Sequence, residues 1–188
     1  MKMKRFLFTI LLLTFVFSCG LGKAVNAMES KKVVLDPLPK SASEIKPANT
    51  PQQTAAYAIA SLVRYTENAE EGIAMLDVLR GPRPLNNFNK QFLRDQLRGK
   101  EYTAKSYFDG ANPKNNYTPS TPYTLTVSET PYSYQNENYA QLWVKSGGAD
   151  NPRPITMRLK PSTGEWYLWE YEGLLAGIRI PAKDDPWN

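Results

Sequence analysis

The chain has 188 residues, with 23 lysines and arginines against 18 aspartates and glutamates, no histidine and one cysteine. These counts exclude imidazole acid–base chemistry, Ser-His-Asp and Cys-His nucleophiles, His-based metal sites and any disulfide within the chain. The basic balance, a net charge of +5 and a pI near 9.2, belongs to the N-terminus. Lys2, Lys4, Arg5 and Lys23 precede residue 28 with no acid among them, leaving 19 basic against 18 acidic residues beyond it. Such a near-neutral body gives no electrostatic case for nucleic acid and shows no polybasic membrane patch.

Residues 1–27 read as a bacterial-type signal sequence. Lys2, Lys4 and Arg5 form a positive start, and residues 6–17 are apolar except for Thr9 and Thr14. That run suits a signal core and falls short of the roughly 20 residues of a membrane span. Two processing routes stay open. Val25 and Ala27 form an A-x-A-like site that would release a soluble chain beginning at Met28, while Val16-Phe17-Ser18-Cys19 resembles a lipobox that would place a lipid on Cys19. Membrane contact is expected only through the signal or that lipid, and the expected address is extracellular or in the cell envelope.

Residues 28–49, rich in Lys, Ser, Pro and Glu, read as a flexible tether in which Val33, Val34 and Leu35 are the one apolar patch. Thr50, Pro51 and Gln53 then give a helix start with a capping box, followed by Ala55, Ile59, Leu62 and Val63 at helical spacing. Asn68 and Glu71 start a second helix with Ile73, Leu76 and Leu79 as its apolar stripe, and Gly81-Pro82 stops it. A third, over residues 87–98, is expected to bury Phe88, Phe92, Leu93 and Leu97.

A long connection of Asn, Pro, Tyr and Lys fills residues 101–122. Period-two alternation follows: Tyr123, Leu125 and Val127; Ala140, Leu142 and Val144; Ile155, Met157 and Leu159; Tyr167, Trp169 and Tyr171. The expected fold is therefore α+β, one domain over residues 50–188, with three N-terminal helices packed on one face of a C-terminal four-stranded antiparallel meander. The last hairpin reads as a three-residue loop with Gly164 left-handed, which pairs Leu159 with Tyr167, Met157 with Trp169 and Ile155 with Tyr171.

The segments Ser106-Tyr107-Phe108-Asp109-Gly110-Ala111, Asn116-Tyr117-Thr118-Pro119, Arg153-Pro154-Ile155-Thr156 and Trp166-Tyr167-Leu168-Trp169-Glu170-Tyr171 together resemble an uncharacterised bacterial domain family. The resemblance covers roughly residues 50–181. It implies a single domain and carries no catalytic residues with it.

No nucleotide-binding glycine loop is present, and no cofactor or metal site is expected. Asp109 lacks the carboxylate neighbours of a calcium loop and reads as a turn residue. Ser43 and Lys46 match a Ser-x-x-Lys pattern without the two further motifs that chemistry requires. Glu170 and Glu172, about 6–7 Å apart along a strand, span a distance a glycosidase could use. Beside Gly173 they read as solvated instead.

The more informative residues are aromatic. In the register above, Arg158 and Lys160 share one sheet face with Trp166, and Trp143 joins them from the neighbouring strand. Tryptophans among cations and amides make a recognition face for an envelope glycan or protein. The alternative is that residues 174–187 cover both tryptophans as core. The functional expectation is an exported, non-catalytic binding module of the cell envelope with Trp143, Trp166, Arg158 and Lys160 as its ligand-binding candidates. Its rivals are a carboxylate-dependent hydrolase of envelope polysaccharide and a structural lipoprotein.

Overall fold

The computed structural model describes residues 28–187. The expected signal sequence, its expected cleavage after Ala27 and Cys19 lie outside the described residues. The α+β expectation holds, with a sheet of five antiparallel strands in the order β1-β2-β3-β4-β5. β1 is Glu29–Leu35, β2 Tyr123–Glu129, β3 Tyr139–Val144, β4 Arg153–Lys160 and β5 Glu165–Glu170.

The fifth strand corrects two expectations at once, because residues 28–49 are not a tether. Val33 and Leu35 are buried, and β1 pairs with β2 over seven residues, from Glu29 opposite Glu129 to Leu35 opposite Tyr123. The polar start of β1, with Glu29, Ser30, Lys31 and Lys32, suits an edge strand, where charge guards the unpaired side. Beyond β1, Ile45 is buried, and Glu71 accepts a hydrogen bond from the Ala42 N–H at 2.8 Å.

The helices therefore lie inside the connection between β1 and β2 rather than ahead of the whole sheet. Helix α1, Pro51–Glu67, is buried along most of its length and packs against β1, β2, β4 and β5. Its small residues Ala55, Ala56, Ala58 and Ala60 let the backbone approach its neighbours closely. The expected capping box at Thr50 is absent, since its side chain makes no cap bond. Thr54 ties the helix start down instead: its hydroxyl donates to the Trp166 carbonyl and accepts from the Ala48 N–H, both at 2.9 Å.

Helix α2, Ala69–Arg80, packs on α1 and β5, and Asn68 caps it by accepting from the Glu71 N–H. Helix α3, Asn87–Leu97, begins with a reciprocal Asn86–Asn89 capping box. It buries Leu93 and Leu97 as expected, but Phe88 is 75% exposed. The long connection holds a short helix α4, Tyr102–Lys105, and is stapled by its tyrosines. The Tyr107 hydroxyl donates to the Leu174 carbonyl at 2.5 Å and Tyr117 to the Arg179 carbonyl at 2.6 Å, so the C-terminal tail packs on this connection.

The hairpin between β4 and β5 departs from the expected register by one residue. Lys160 pairs with Glu165, so the loop is Pro161-Ser162-Thr163-Gly164, and Leu159 faces Trp166 rather than Tyr167. Gly164 is left-handed as expected, at φ 72°, and its N–H bonds the Lys160 carbonyl at 2.9 Å. Space around it is open, so only the backbone penalises a side chain there. Gly164→Val is expected to cost on the order of 1–2 kcal/mol. An unshifted denaturation midpoint would contradict that turn.

Candidate functional site

A one-residue shift in an antiparallel pair sends every side chain to the opposite face. Trp166 and Leu168 therefore point inward beside Met157 and Leu159, while Tyr167 and Trp169 point outward beside Arg158. The shift ends at an irregularity: Met157 faces Leu168, yet Thr156 faces Glu170, so the ladder skips Trp169. The skipped residue restores the expected phase, and Tyr171 returns to the core with no exposure. Bulges of this kind re-aim side chains, and here the re-aimed side chain is Trp169.

Trp169 stands among rings and guanidiniums. Arg83 lies over its indole, with Cζ 3.6 Å from the ring centroid, and Arg158 is 5.2 Å away. Tyr139, opposite Arg158 on β3, meets Trp169 edge-on at 5.4 Å and carries Arg158 over its own ring at 4.4 Å. These contacts hold the indole in one orientation, so little freedom remains to be lost when a ligand docks against it.

Two cavities share Trp169 as a wall. One, of about 300 Å³, lies between the β2–β3 loop and the outward face of the sheet. Its aromatic walls are Tyr132, Tyr139 and Trp169, and Tyr132 is 60% exposed. Ser133, Gln135, Asn136, Gln141, Thr156 and Glu170 supply its polar lining. The side-chain amides of Gln135, Asn136 and Gln141 make no hydrogen bond among the described residues, and Glu170 meets only the Thr156 hydroxyl, at 3.3 Å. The backbone beneath is fixed by the Gln141 N–H bonding the Ser133 carbonyl at 2.8 Å and by the Ser133 hydroxyl accepting from the Thr130 N–H.

The second cavity, of about 270 Å³, lies where α2 ends beside β5. Arg80, Arg83, Arg158 and Lys160 line it, with Tyr167, Trp169 and the apolar surfaces of Pro82, Leu159 and Pro161 between them. Tyr167 packs so closely on Gly81 that a Cβ there would stand 2.4 Å from its ring, which fixes the distance between helix end and strand. Arg80 is only 6% exposed; its Nε donates to the Arg83 carbonyl at 2.9 Å and Nη1 to the Trp169 carbonyl at 3.4 Å. Its guanidinium also lies 5.7 Å from the Tyr171 ring centroid. Burial, with help from Glu172, pushes the Tyr171 hydroxyl above the ordinary tyrosine range, so that neighbour stays neutral.

Of the four residues read from the sequence, the structure brings Arg158 and Lys160 together in the second cavity. Trp143 is on the outward face as expected, half-buried opposite Pro154 and Ser128, and lines neither cavity. Trp166 is corrected to the inward face, where it packs against the core and bridges to Ala48. Its backbone is bridged by Ala48 before α1, and its ring meets Tyr134 of the β2–β3 loop edge-on at 6.1 Å. Glu170 and Glu172 do not share one strand: β5 ends at Glu170, and Glu172 enters the turn Glu172–Leu175 with its carboxylate on the Tyr171 N–H. Trp169, Arg83, Arg80, Gln135 and Asn136 were not legible as site residues, because a fixed alternation places Trp169 in the core.

Among the described residues no cluster of three or more metal-ligating side chains occurs, and no helix is long and apolar enough to cross a membrane. In comparisons with known proteins, a family model described as a domain of unknown function, DUF6935, matches residues 37–182. The match begins within the segment expected to be a tether. Neither a curated protein nor a solved structure matches the chain.

Proposed function

The chain belongs to the DUF6935 domain family, and we propose that this member is an exported, non-catalytic binding module of the cell envelope whose ligand is a glycan. The observation that carries the reading is the 300 Å³ cavity beside Trp169, in which unengaged amides surround aromatic walls. Sugars present hydroxyls that both donate and accept hydrogen bonds along the edges of apolar C–H faces. Gln135, Asn136 and Gln141 match the hydroxyls, since each amide both donates and accepts. Tyr132, Tyr139 and Trp169 match the C–H faces. The volume lies at the lower end of the roughly 300–1,000 Å³ of small-ligand sites, which suits a short stretch of a longer polymer entering an open cleft.

The test is titration of residues 28–188 with a panel of neutral and acidic oligosaccharides, followed by calorimetry. At least one member is expected to bind, and Trp169→Ala and Gln141→Ala are each expected to weaken it by about tenfold or more. A panel without a binder, or a Trp169→Ala protein with unaltered affinity, would remove the glycan reading.

Export has its own measurement. Protein fractionated from its native host is expected to be roughly 2–3 kDa lighter than the full chain and to begin at free Met28 or at acylated Cys19. Recovery of an intact Met1 terminus from soluble cytosol would refute export, and the mass of the first peptide separates the soluble product from the lipoprotein.

A further inference from the structure

We propose that the second cavity is an oxyanion subsite, so that the glycan bound beside Trp169 is an acidic one whose carboxylate, sulfate or phosphate group sits between Arg80, Arg158 and Lys160. This inference rests on the glycan reading and names its substrate class. Four basic side chains line the cavity and no acidic one does. The concentration is local, because the chain beyond residue 27 is close to neutral.

The cations are not spent on one another's partners. Among the described residues the ion pairs are Lys32–Asp109, Arg64–Glu67 and Arg179–Asp150, and none uses a residue of this cavity. Two acids close to these cations along the chain are engaged elsewhere. Glu165, opposite Lys160 on the ladder, accepts from the Tyr167 hydroxyl at 3.2 Å, and Asp77, one turn before Arg80, accepts from the Leu85 N–H at 2.6 Å. Arg80 is the decisive group. It is more than nine-tenths buried, lines the cavity and is satisfied only by two carbonyls, so its charge has no counter-ion. A buried guanidinium without an opposite charge is costly, and an oxyanion that presents two oxygens meets its fork with paired hydrogen bonds. The apolar walls of Pro82, Leu159 and Pro161 lower the local dielectric and strengthen the attraction. Because Trp169 lines both cavities, a sugar ring docked in the first lies beside the second, where its charged substituent would sit.

The experiment compares a hexuronate oligosaccharide, its carboxyl-reduced neutral counterpart and a sulfated neutral oligosaccharide on residues 28–188. The acidic sugars are expected to bind at least tenfold more tightly than the reduced one. That ratio should fall severalfold when salt is raised from about 0.05 M to about 0.5 M. Lys160→Gln and Arg83→Gln, which leave the buried Arg80 and its backbone partners in place, should each lower the acidic affinity at least threefold more than the neutral affinity. Whichever of the carboxylate and sulfate arms binds identifies the oxyanion. Equal binding of acidic and neutral sugars, or a ratio untouched by both variants, overturns the oxyanion subsite and leaves the glycan reading standing. Binding of none of the three overturns both.

Discussion

A chain beginning at Thr50 is expected to lose its cooperative unfolding transition, whereas a chain beginning at Met28 keeps it. The shorter chain lacks β1, whose seven-residue ladder covers β2, and it lacks Ile45. Val33, Leu35 and Ile45 are each buried, and losing them forfeits on the order of 5–8 kcal/mol of apolar burial. A domain of this size is stable by only about 5–15 kcal/mol, so the loss takes most of the margin of a domain in the lower half of that range. Ala48 goes as well, and with it the backbone bridge to Trp166 and a partner of the Thr54 hydroxyl. Circular dichroism melts of the two chains decide the matter. Equal midpoints would mean that residues 28–49 contribute nothing to the fold. For the same reason every binding experiment above uses residues 28–188.

What could be read from the sequence followed from local signals. Helix α2 carries its stop in Gly81, its cap in Asn68 and its stripe in Ile73, Leu76 and Leu79; stop and cap stand as expected, Leu76 and Leu79 are buried, and Ile73 is partly buried against the core. The left-handed Gly164 and the inward Leu142 and Val144 were equally legible. Edge strand β1 was not, because its first four residues are polar and its partner lies more than ninety residues away, as Ser30 paired with Ser128 shows. No local pattern reports such a pairing.

The site was half legible for a related reason. Arg158 and Lys160 alternate on a strand whose phase is set by Ile155 and Met157, so their side of the sheet followed directly. Trp166 and Trp169 depend on how many residues the hairpin loop contains and on where the ladder skips one. Counting three loop residues instead of four exchanges the two tryptophans between core and surface. The skip at Trp169 then hides the exchange, because Tyr171 faces inward under either count.

Substituting each tryptophan of β5 by alanine therefore gives opposite outcomes. Trp166→Ala is expected to cost about 3 kcal/mol, the lower end of the range for core tryptophans, because its ring is partly buried against the core. Its ring packs against the core opposite Leu159 and meets Tyr134 edge-on at 6.1 Å. Trp169→Ala is expected to cost about 1 kcal/mol, the worth of its contacts with Arg83 and Arg158, because water reaches the outward face and refills the space. Urea denaturation of both variants, with slopes unchanged so that midpoints report stability, separates the cases. Two comparable losses would place both indoles in the core and close the cavities that the glycan reading needs. The reverse order, with Trp169 the costlier, would restore the three-residue loop, turn Trp166 outward and move the recognition surface towards Trp143. A large loss at Trp166 alone leaves Trp169 free to serve a ligand rather than the fold.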